Sequence, residues 1–96
     1  MTAQVAADLR AAVDVLERDG WTQGGLSEDG RLCAIEAIWR ACGQSGGERS
    51  QNAVEQLRTA IPFQRSIIGW NDTPGRTAAE VIAALRAAAD AAEAEL

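Results

Sequence analysis

The clearest indication of fold class in this chain is the stretch Arg31-Leu32-Cys33-Ala34-Ile35-Glu36-Ala37-Ile38-Trp39-Arg40-Ala41-Cys42. Its apolar residues recur at helical spacing around most of the circumference, and only Glu36 and Arg40 form a narrow polar stripe. A helix with so little polar surface is usually enclosed by other helices. The pattern therefore predicts a central helix over residues 31–42 that contains Cys33 and ends at Gly43.

The segments on either side of this helix also have helical periodicity. They predict helices over residues 3–19, 50–60 and 78–93, and a short helical segment over residues 63–68 that begins at Pro62. Residues 21–30 do not alternate between apolar and polar, so they predict a loop rather than a hairpin around Asp29-Gly30. The resulting fold class is all-α, a compact bundle of four to five short helices in a single domain over residues 1–96.

The length, net charge and composition of the chain narrow the possible functions. The chain has 96 residues, a net charge of −5 and no histidine, and all nine of its basic residues are arginines dispersed along the sequence. This acidic balance makes nucleic-acid binding unlikely. The first twenty residues carry six charges, and no window approaches the apolar length of a membrane span. We therefore expect a cytoplasmic protein without membrane contact.

Several catalytic and metal-binding arrangements are excluded by composition. Without histidine or lysine there is no Ser-His-Asp or Cys-His site, no histidine-containing zinc site and no Schiff-base lysine. We expect no metal and no cofactor, and a binding protein rather than an enzyme. Cys33 and Cys42 lie roughly 13 Å apart along one continuous helix, which is too far for a disulfide. A place in the first helical turn can lower the pKa of the Cys33 thiol, although free cysteines are more often buried apolar side chains.

A second motif, Trp70-Asn71-Asp72-Thr73-Pro74-Gly75-Arg76-Thr77, allows two interpretations. In the structural one, residues 73–76 form a type II turn, Asn71 or Asp72 closes an Asx turn, and Thr77 with Glu80 forms a capping box. Trp21 and Trp70 then clamp two loops onto the bundle, and Trp39 lies in the core. In the functional one, the two loops meet and bind a ligand or partner through Trp21, Gln23, Cys33, Trp70, Asn71, Asp72 and Arg76.

These motifs together resemble a family of small uncharacterised domains that occur in actinobacteria and their phages. The resemblance covers nearly the whole chain. It is carried by Trp21-Thr22-Gln23-Gly24, by Gly30-Arg31-Leu32-Cys33-Ala34 with Ala37-Ile38 and Ala41, and by Trp70-Asn71-Asp72 through Thr77 and Val81. Ile35 and Glu36 depart from the Leu-Gly pair that is usual in the family's central helix. The resemblance implies an actinobacterial or actinophage origin and no particular activity.

Three functions are therefore weighed. The first is a small non-enzymatic interaction domain, phage-encoded or not, that binds an unidentified protein. The second is a small-ligand or enzymatic site where the Trp21–Gln23 and Trp70–Asp72 loops meet near Cys33. The third, nucleic-acid binding, is the weakest, and the apolar surface of the central helix also leaves room for a homodimer.

Overall fold

The order of elements follows closely from the helical periodicity. The computed structural model describes residues 2–24, 27–28, 30–43, 47–61 and 66–95. In these ranges the chain forms five helices and one β-hairpin, in the order α1 (Thr2–Asp19), β1 (Ser27–Glu28), β2 (Arg31–Leu32), α2 (Ala34–Cys42), α3 (Glu48–Ala60), α4 (Ile67–Asn71) and α5 (Ala78–Ala94). The prediction of an all-α bundle is confirmed.

The core lies between α1 and the helices that surround it. α1 packs against α2, α3 and α5, while α2 packs against α1, α3, α4 and the hairpin strand β2. The two helices therefore share the central position that the sequence predicts for α2 alone. Ala34 and Ala37 of α2 are fully buried.

The helix ends confirm most of the predicted boundary signals. Gly20 and Gly43 follow α1 and α2 with φ of 90° and 83°, a conformation that glycine adopts without steric cost. α3 ends at Ala60, and Ile61 before the proline is extended. The Thr77–Glu80 capping box is present at the start of α5, with both of its hydrogen bonds formed. Each of these ends could be read from local chemistry because it depends on residues adjacent in sequence.

The prediction of an unstructured loop over residues 21–30 is wrong in part. Ser27 and Glu28 pair antiparallel with Leu32 and Arg31, and Trp21 also bridges to Leu32. Strands of two residues are too short to display alternation, and the pairing depends on backbone hydrogen bonds that sequence patterns do not report. Because Leu32 belongs to this strand, α2 begins at Ala34 with Cys33 as its N-cap rather than as part of its first turn.

The short fourth helix is also placed differently from the prediction. α4 spans Ile67–Asn71, and the Ser66 side chain caps it by accepting a hydrogen bond from the Gly69 amide at 2.9 Å. The predicted start at Pro62 lies outside the described residues. The serine cap is a local signal that favours a helix start at Ile67. The helix extends through Trp70 and Asn71, which were expected in a loop.

Candidate functional site

The two loops singled out by the sequence do meet, and a buried asparagine joins them. The Asn71 side chain is fully buried. Its Oδ1 accepts hydrogen bonds from Trp21 Nε1 at 2.6 Å and from the Ala34 backbone amide at 3.0 Å. Its Nδ2 donates to the Thr22 carbonyl at 3.1 Å and to Asp72 Oδ1 at 3.0 Å. One amide group thus ties together the start of α2, the end of α4 and the segment after α1.

The neighbouring residues extend this connection. Gln23 Nε2 donates to the carbonyl oxygens of Asn71 at 3.1 Å and Thr73 at 2.8 Å. Asp72 Oδ1 also accepts from the Gly24 amide at 3.0 Å. We call these residues the Asn71 cluster, which comprises Trp21, Thr22, Gln23, Gly24, Ala34, Asn71, Asp72 and Thr73. Neither Asn71 nor Asp72 closes the Asx turn that the sequence predicts, because the carboxamide of one and the carboxylate oxygen of the other serve these long-range contacts.

Trp70 and Arg76 form a second part of the same structure. Trp70 is buried, and the Arg76 guanidinium lies 4.5 Å from the centroid of its ring. Arg76 Nε donates to the Trp70 carbonyl at 3.1 Å, and Arg76 Nη1 lies 3.9 Å from Glu80. The turn between them has the predicted type II features, a Thr73 carbonyl that accepts from the Arg76 amide at 3.0 Å and φ of 87° at Gly75. Arg76 therefore holds the turn against the indole face by a cation–π contact.

Cys33 adjoins this cluster as a buried side chain. It is 3% exposed, and its Sγ accepts a long hydrogen bond from the Glu36 amide at 3.5 Å. Burial raises the pKa of the Cys33 thiol and outweighs the opposing effect of the Glu36 and Ile35 amides. The alternative in which the helix start lowers this pKa is wrong. The interpretation as a buried apolar side chain is the one that the structure supports.

The Asn71 cluster has the features of a structural connection. Every buried side-chain nitrogen and oxygen among the described residues has a hydrogen-bond partner. A site that awaits a ligand commonly presents a few convergent polar groups in a concave pocket, whereas the groups here are already used by one another. The residues that the structure describes contain no group of three or more histidine, cysteine or acidic side chains placed to hold a metal ion. The sequence-predicted site residues therefore converge, with Cys33 beside them, and the binding role proposed for them stays a prediction.

An ion pair between the buried Asp8 carboxylate and the exposed Arg49 joins α1 to α3, and sequence reasoning did not find it. The Asp8 side chain is 3% exposed and accepts hydrogen bonds from Arg49 Nε at 2.9 Å and Nη2 at 2.7 Å. Burial alone would raise the pKa of Asp8, but hydrogen bonds from Arg49 and Gln4 and the charge of Arg49 together hold that pKa below its ordinary value. Burial, followed by the nearby Asp8 charge, raises the pKa of Cys42 to about 11.

An open cleft between α2 and α3 is the other feature that the sequence did not predict. It has a volume of about 380 Å³ and is lined by Ile35, Trp39, Gln51, Val54, Glu55 and Arg58. Trp39 was expected in the core, but it is only half-buried and lies outside the core cluster. The α3 residues that line the cleft opposite it are mostly polar, namely Gln51, Glu55 and Arg58 beside Val54. The spacing of Ile35 and Trp39, four residues apart, was the available signal for this half-buried apolar stripe.

The arginines are matched by carboxylates across the described part of the chain. Seven of them form ion pairs, namely Arg10 with Asp90 and Glu93, Arg18 with Asp19, Arg40 with Glu36, Arg49 with Asp8, Arg58 with Glu55, Arg76 with Glu80, and Arg86 with Glu17. A phosphate-binding surface needs cations grouped on one face. The pairing does not favour nucleic-acid binding. Within the described residues no helix combines the length and the apolar character needed to span a bilayer.

These features define a class of protein, a small all-α bundle in which a buried asparagine joins two loops. The chain belongs to the Family of unknown function (DUF6197), whose model matches residues 1–91. The resemblance to an uncharacterised domain family is thereby confirmed at the level of the family. Neither the curated proteins nor the solved structures contain a match to this chain.

Proposed function

We propose that this protein is a small non-enzymatic interaction domain that binds a partner protein through the α2–α3 cleft. The observation that carries the proposal is the position of Trp39. Of the three tryptophans, Trp21 donates its indole N–H to Asn71 and Trp70 is buried beneath Arg76. Trp39 is half-buried, and its indole N–H makes no hydrogen bond with another described residue.

The chemistry of the cleft supports this use. Tryptophan and arginine are over-represented among the residues that contribute most to protein–protein binding. The lining combines three apolar side chains with three polar ones, namely Ile35, Trp39 and Val54 with Gln51, Glu55 and Arg58. An apolar centre with a polar rim is the usual composition of a binding surface. The arrangement therefore suits a protein side chain that fills the centre of the cleft.

The alternative of a small-ligand or enzymatic site at the Asn71 cluster has less support. The side-chain amides of Asn71 and Gln23 are engaged in internal hydrogen bonds, and Cys33 is buried with a raised thiol pKa. A nucleophilic thiol needs the opposite conditions, exposure and a lowered pKa. We extend the proposal to a cytoplasmic setting in an actinobacterium or its phage, in keeping with the acidic charge and the arginine-only basic residues.

Affinity capture from an actinobacterial lysate tests the proposal. The bait is the full chain, compared with Trp39→Ala and with Ile68→Ala as the matched control. Ile68 is 45% exposed and lies outside the cleft lining, so its loss removes exposed apolar surface elsewhere. We expect a partner that is retained by the wild type and the control and lost by Trp39→Ala, with circular dichroism showing that each bait is folded. Recovery of the same proteins by the folded Trp39→Ala bait would contradict the proposal.

A further inference from the structure

We infer that the occupant of the α2–α3 cleft is a short amphipathic helix of the partner, which inserts an uncharged apolar side chain against Trp39. This inference rests on the proposed function and adds the chemistry of the partner to it. Three observations carry it: the shape of the cleft, the pairing of the charges that surround it, and the small extent of its apolar surface.

The shape of the cleft favours a helix over other recognised segments. Its walls are two helices, α2 with 9 residues and α3 with 13 residues. An amphipathic helix places side chains at i, i+3, i+4 and i+7 into such a groove. A proline-rich segment needs a groove lined by several aromatic rings, and Trp39 is the one aromatic residue in this lining. The lining extends from Ile35 to Trp39 on α2 and from Gln51 to Arg58 on α3, about 6 and 11 Å along the two helix axes, so a partner helix of two to three turns covers it.

The charges around the cleft are already neutralised. Glu55 accepts two hydrogen bonds from Arg58 at 2.9 and 2.7 Å on the α3 side. Glu36 and Arg40 lie 4.0 Å apart on α2 next to the Ile35–Trp39 stripe. The cleft therefore lies between two ion pairs, Arg58–Glu55 and Arg40–Glu36, in a chain whose net charge is −5. A complementary partner surface is uncharged, because a charged side chain would lose its hydration there without gaining an unpaired counter-charge.

The extent of the apolar surface argues against a second copy of this chain as the occupant. The apolar lining consists of Ile35, Trp39 and Val54, all of them half-buried already. A stable dimer buries about 800 Å² on each partner, which three partly covered side chains do not supply. A single anchoring side chain, by comparison, suffices for a short helix of modest affinity.

The probe for this inference is a displayed library of helical peptides of about 12 residues, the length that spans the two walls. The library is selected on the full wild-type chain, and selected peptides are measured by isothermal titration calorimetry. Trp39→Ala, Trp39→Phe and Ile68→Ala are measured beside the wild type. Trp39→Phe keeps an aromatic ring in the cleft, so it preserves a test if the alanine variant does not fold.

We expect selected peptides with large apolar residues at i, i+3 or i+4, and i+7. Their affinity should fall at least about tenfold in Trp39→Ala and by less in Trp39→Phe, while Ile68→Ala leaves it unchanged. Raising the salt from about 50 mM to about 500 mM should change the affinity less than about threefold, because no unpaired charge contributes.

The outcomes that overturn the inference separate it from the proposed function. Peptides that need Trp39 but are proline-rich, or whose binding is strongly salt-dependent, would refute the helix and leave the cleft as the binding surface. Peptides that bind the folded Trp39→Ala variant as tightly as the wild type would refute both proposals. Selection of no peptide at all, or a wild-type dimer that Trp39→Ala abolishes, would refute the partner helix.

Discussion

Replacing Asn71 with alanine should destabilise the protein far more than the removal of a polar side chain usually does. The substitution leaves the Ala34 amide and the Thr22 carbonyl without partners, at residues that are 0% and 8% exposed. Each unsatisfied buried group costs about 1–3 kcal/mol. The Trp21 indole N–H also loses its partner but is nearer the surface, where water replaces part of the bond. We expect a total loss of about 4 kcal/mol in the free energy of unfolding.

A loss of that size is large for a chain of this length. At about 0.05–0.15 kcal/mol per residue, the whole domain is stable by roughly 5–14 kcal/mol. The melting temperature should fall by about 15–30 °C. Urea denaturation followed by far-ultraviolet circular dichroism measures the free energy without relying on the tryptophan fluorescence that the substitution itself alters.

Asn52→Ala provides the matched control. Asn52 lies half-buried on α3 and makes no side-chain hydrogen bond with another described residue, so its replacement should change the stability by less than about 0.5 kcal/mol. If Asn71→Ala costs less than about 1.5 kcal/mol, the net value of a single hydrogen bond, the reasoning about the Asn71 cluster is refuted.

Three further predictions follow from the caps and the buried ionisable groups. Thr77→Ala should cost about 1 kcal/mol of unfolding free energy in urea denaturation, since it removes the N-cap of α5; no change would mean that packing alone starts the helix. Arg49→Met should lower the free energy of unfolding at neutral pH because it removes the charge partner of the buried Asp8 carboxylate, which keeps the hydrogen bond from Gln4. The wild-type pKa of Asp8 is lowered, so the ion pair stabilises the fold above the ordinary value of 3.8 and is lost as the pH falls through the lowered pKa. Arg49→Met removes the hydrogen bonds and the charge by which Arg49 lowers that pKa, so urea titrations should show the gap to wild type narrowing as the pH falls; a constant gap would contradict this. Cys33 and Cys42 should react with a thiol reagent at pH 8 only after denaturant unfolds the chain, because both are buried with raised thiol pKa values; rapid labelling of the native protein would contradict this.

The helices could be predicted from the sequence because their signals are local. Helical periodicity, glycines after the helix ends and the Thr77–Glu80 box all act within a few residues, and the structure places each of them as predicted. The hairpin at Ser27–Glu28 and Arg31–Leu32 was missed because two-residue strands are held by backbone pairing and by the bridge to Trp21. That pairing joins residues as far apart as Trp21 and Leu32. It also explains why α2 begins at Ala34 and not at Arg31, as the sequence predicted.

The residues of the Asn71 cluster could be named from the sequence, but the arrangement of their hydrogen bonds could not. The meeting of the Trp21 and Trp70 segments was one interpretation of the two motifs, but nothing local to Asn71 assigns the central position to it, because its partners Trp21, Thr22 and Ala34 lie 37 to 50 residues away. Trp39 was assigned to the core because α2 is apolar on most sides. It is only half-buried, and α3 lines the cleft opposite it mostly with polar residues, including Gln51 and Glu55. Such a distinction depends on how two helices pack, which periodicity within one helix does not determine.

The Asn71 cluster and the α2–α3 cleft are linked through the first turn of α2. Asn71 Oδ1 holds the Ala34 amide, and Ile35, the first residue of the cleft lining on this helix, follows Ala34 directly. Trp39 lies one turn further along the same helix. The Asn71 cluster therefore fixes the end of the helix that carries the apolar wall of the cleft. The motif that is most conspicuous in the sequence thus contributes to binding, under the proposed function, by positioning α2. Asn71 itself does not have to touch the partner for its loss to weaken binding.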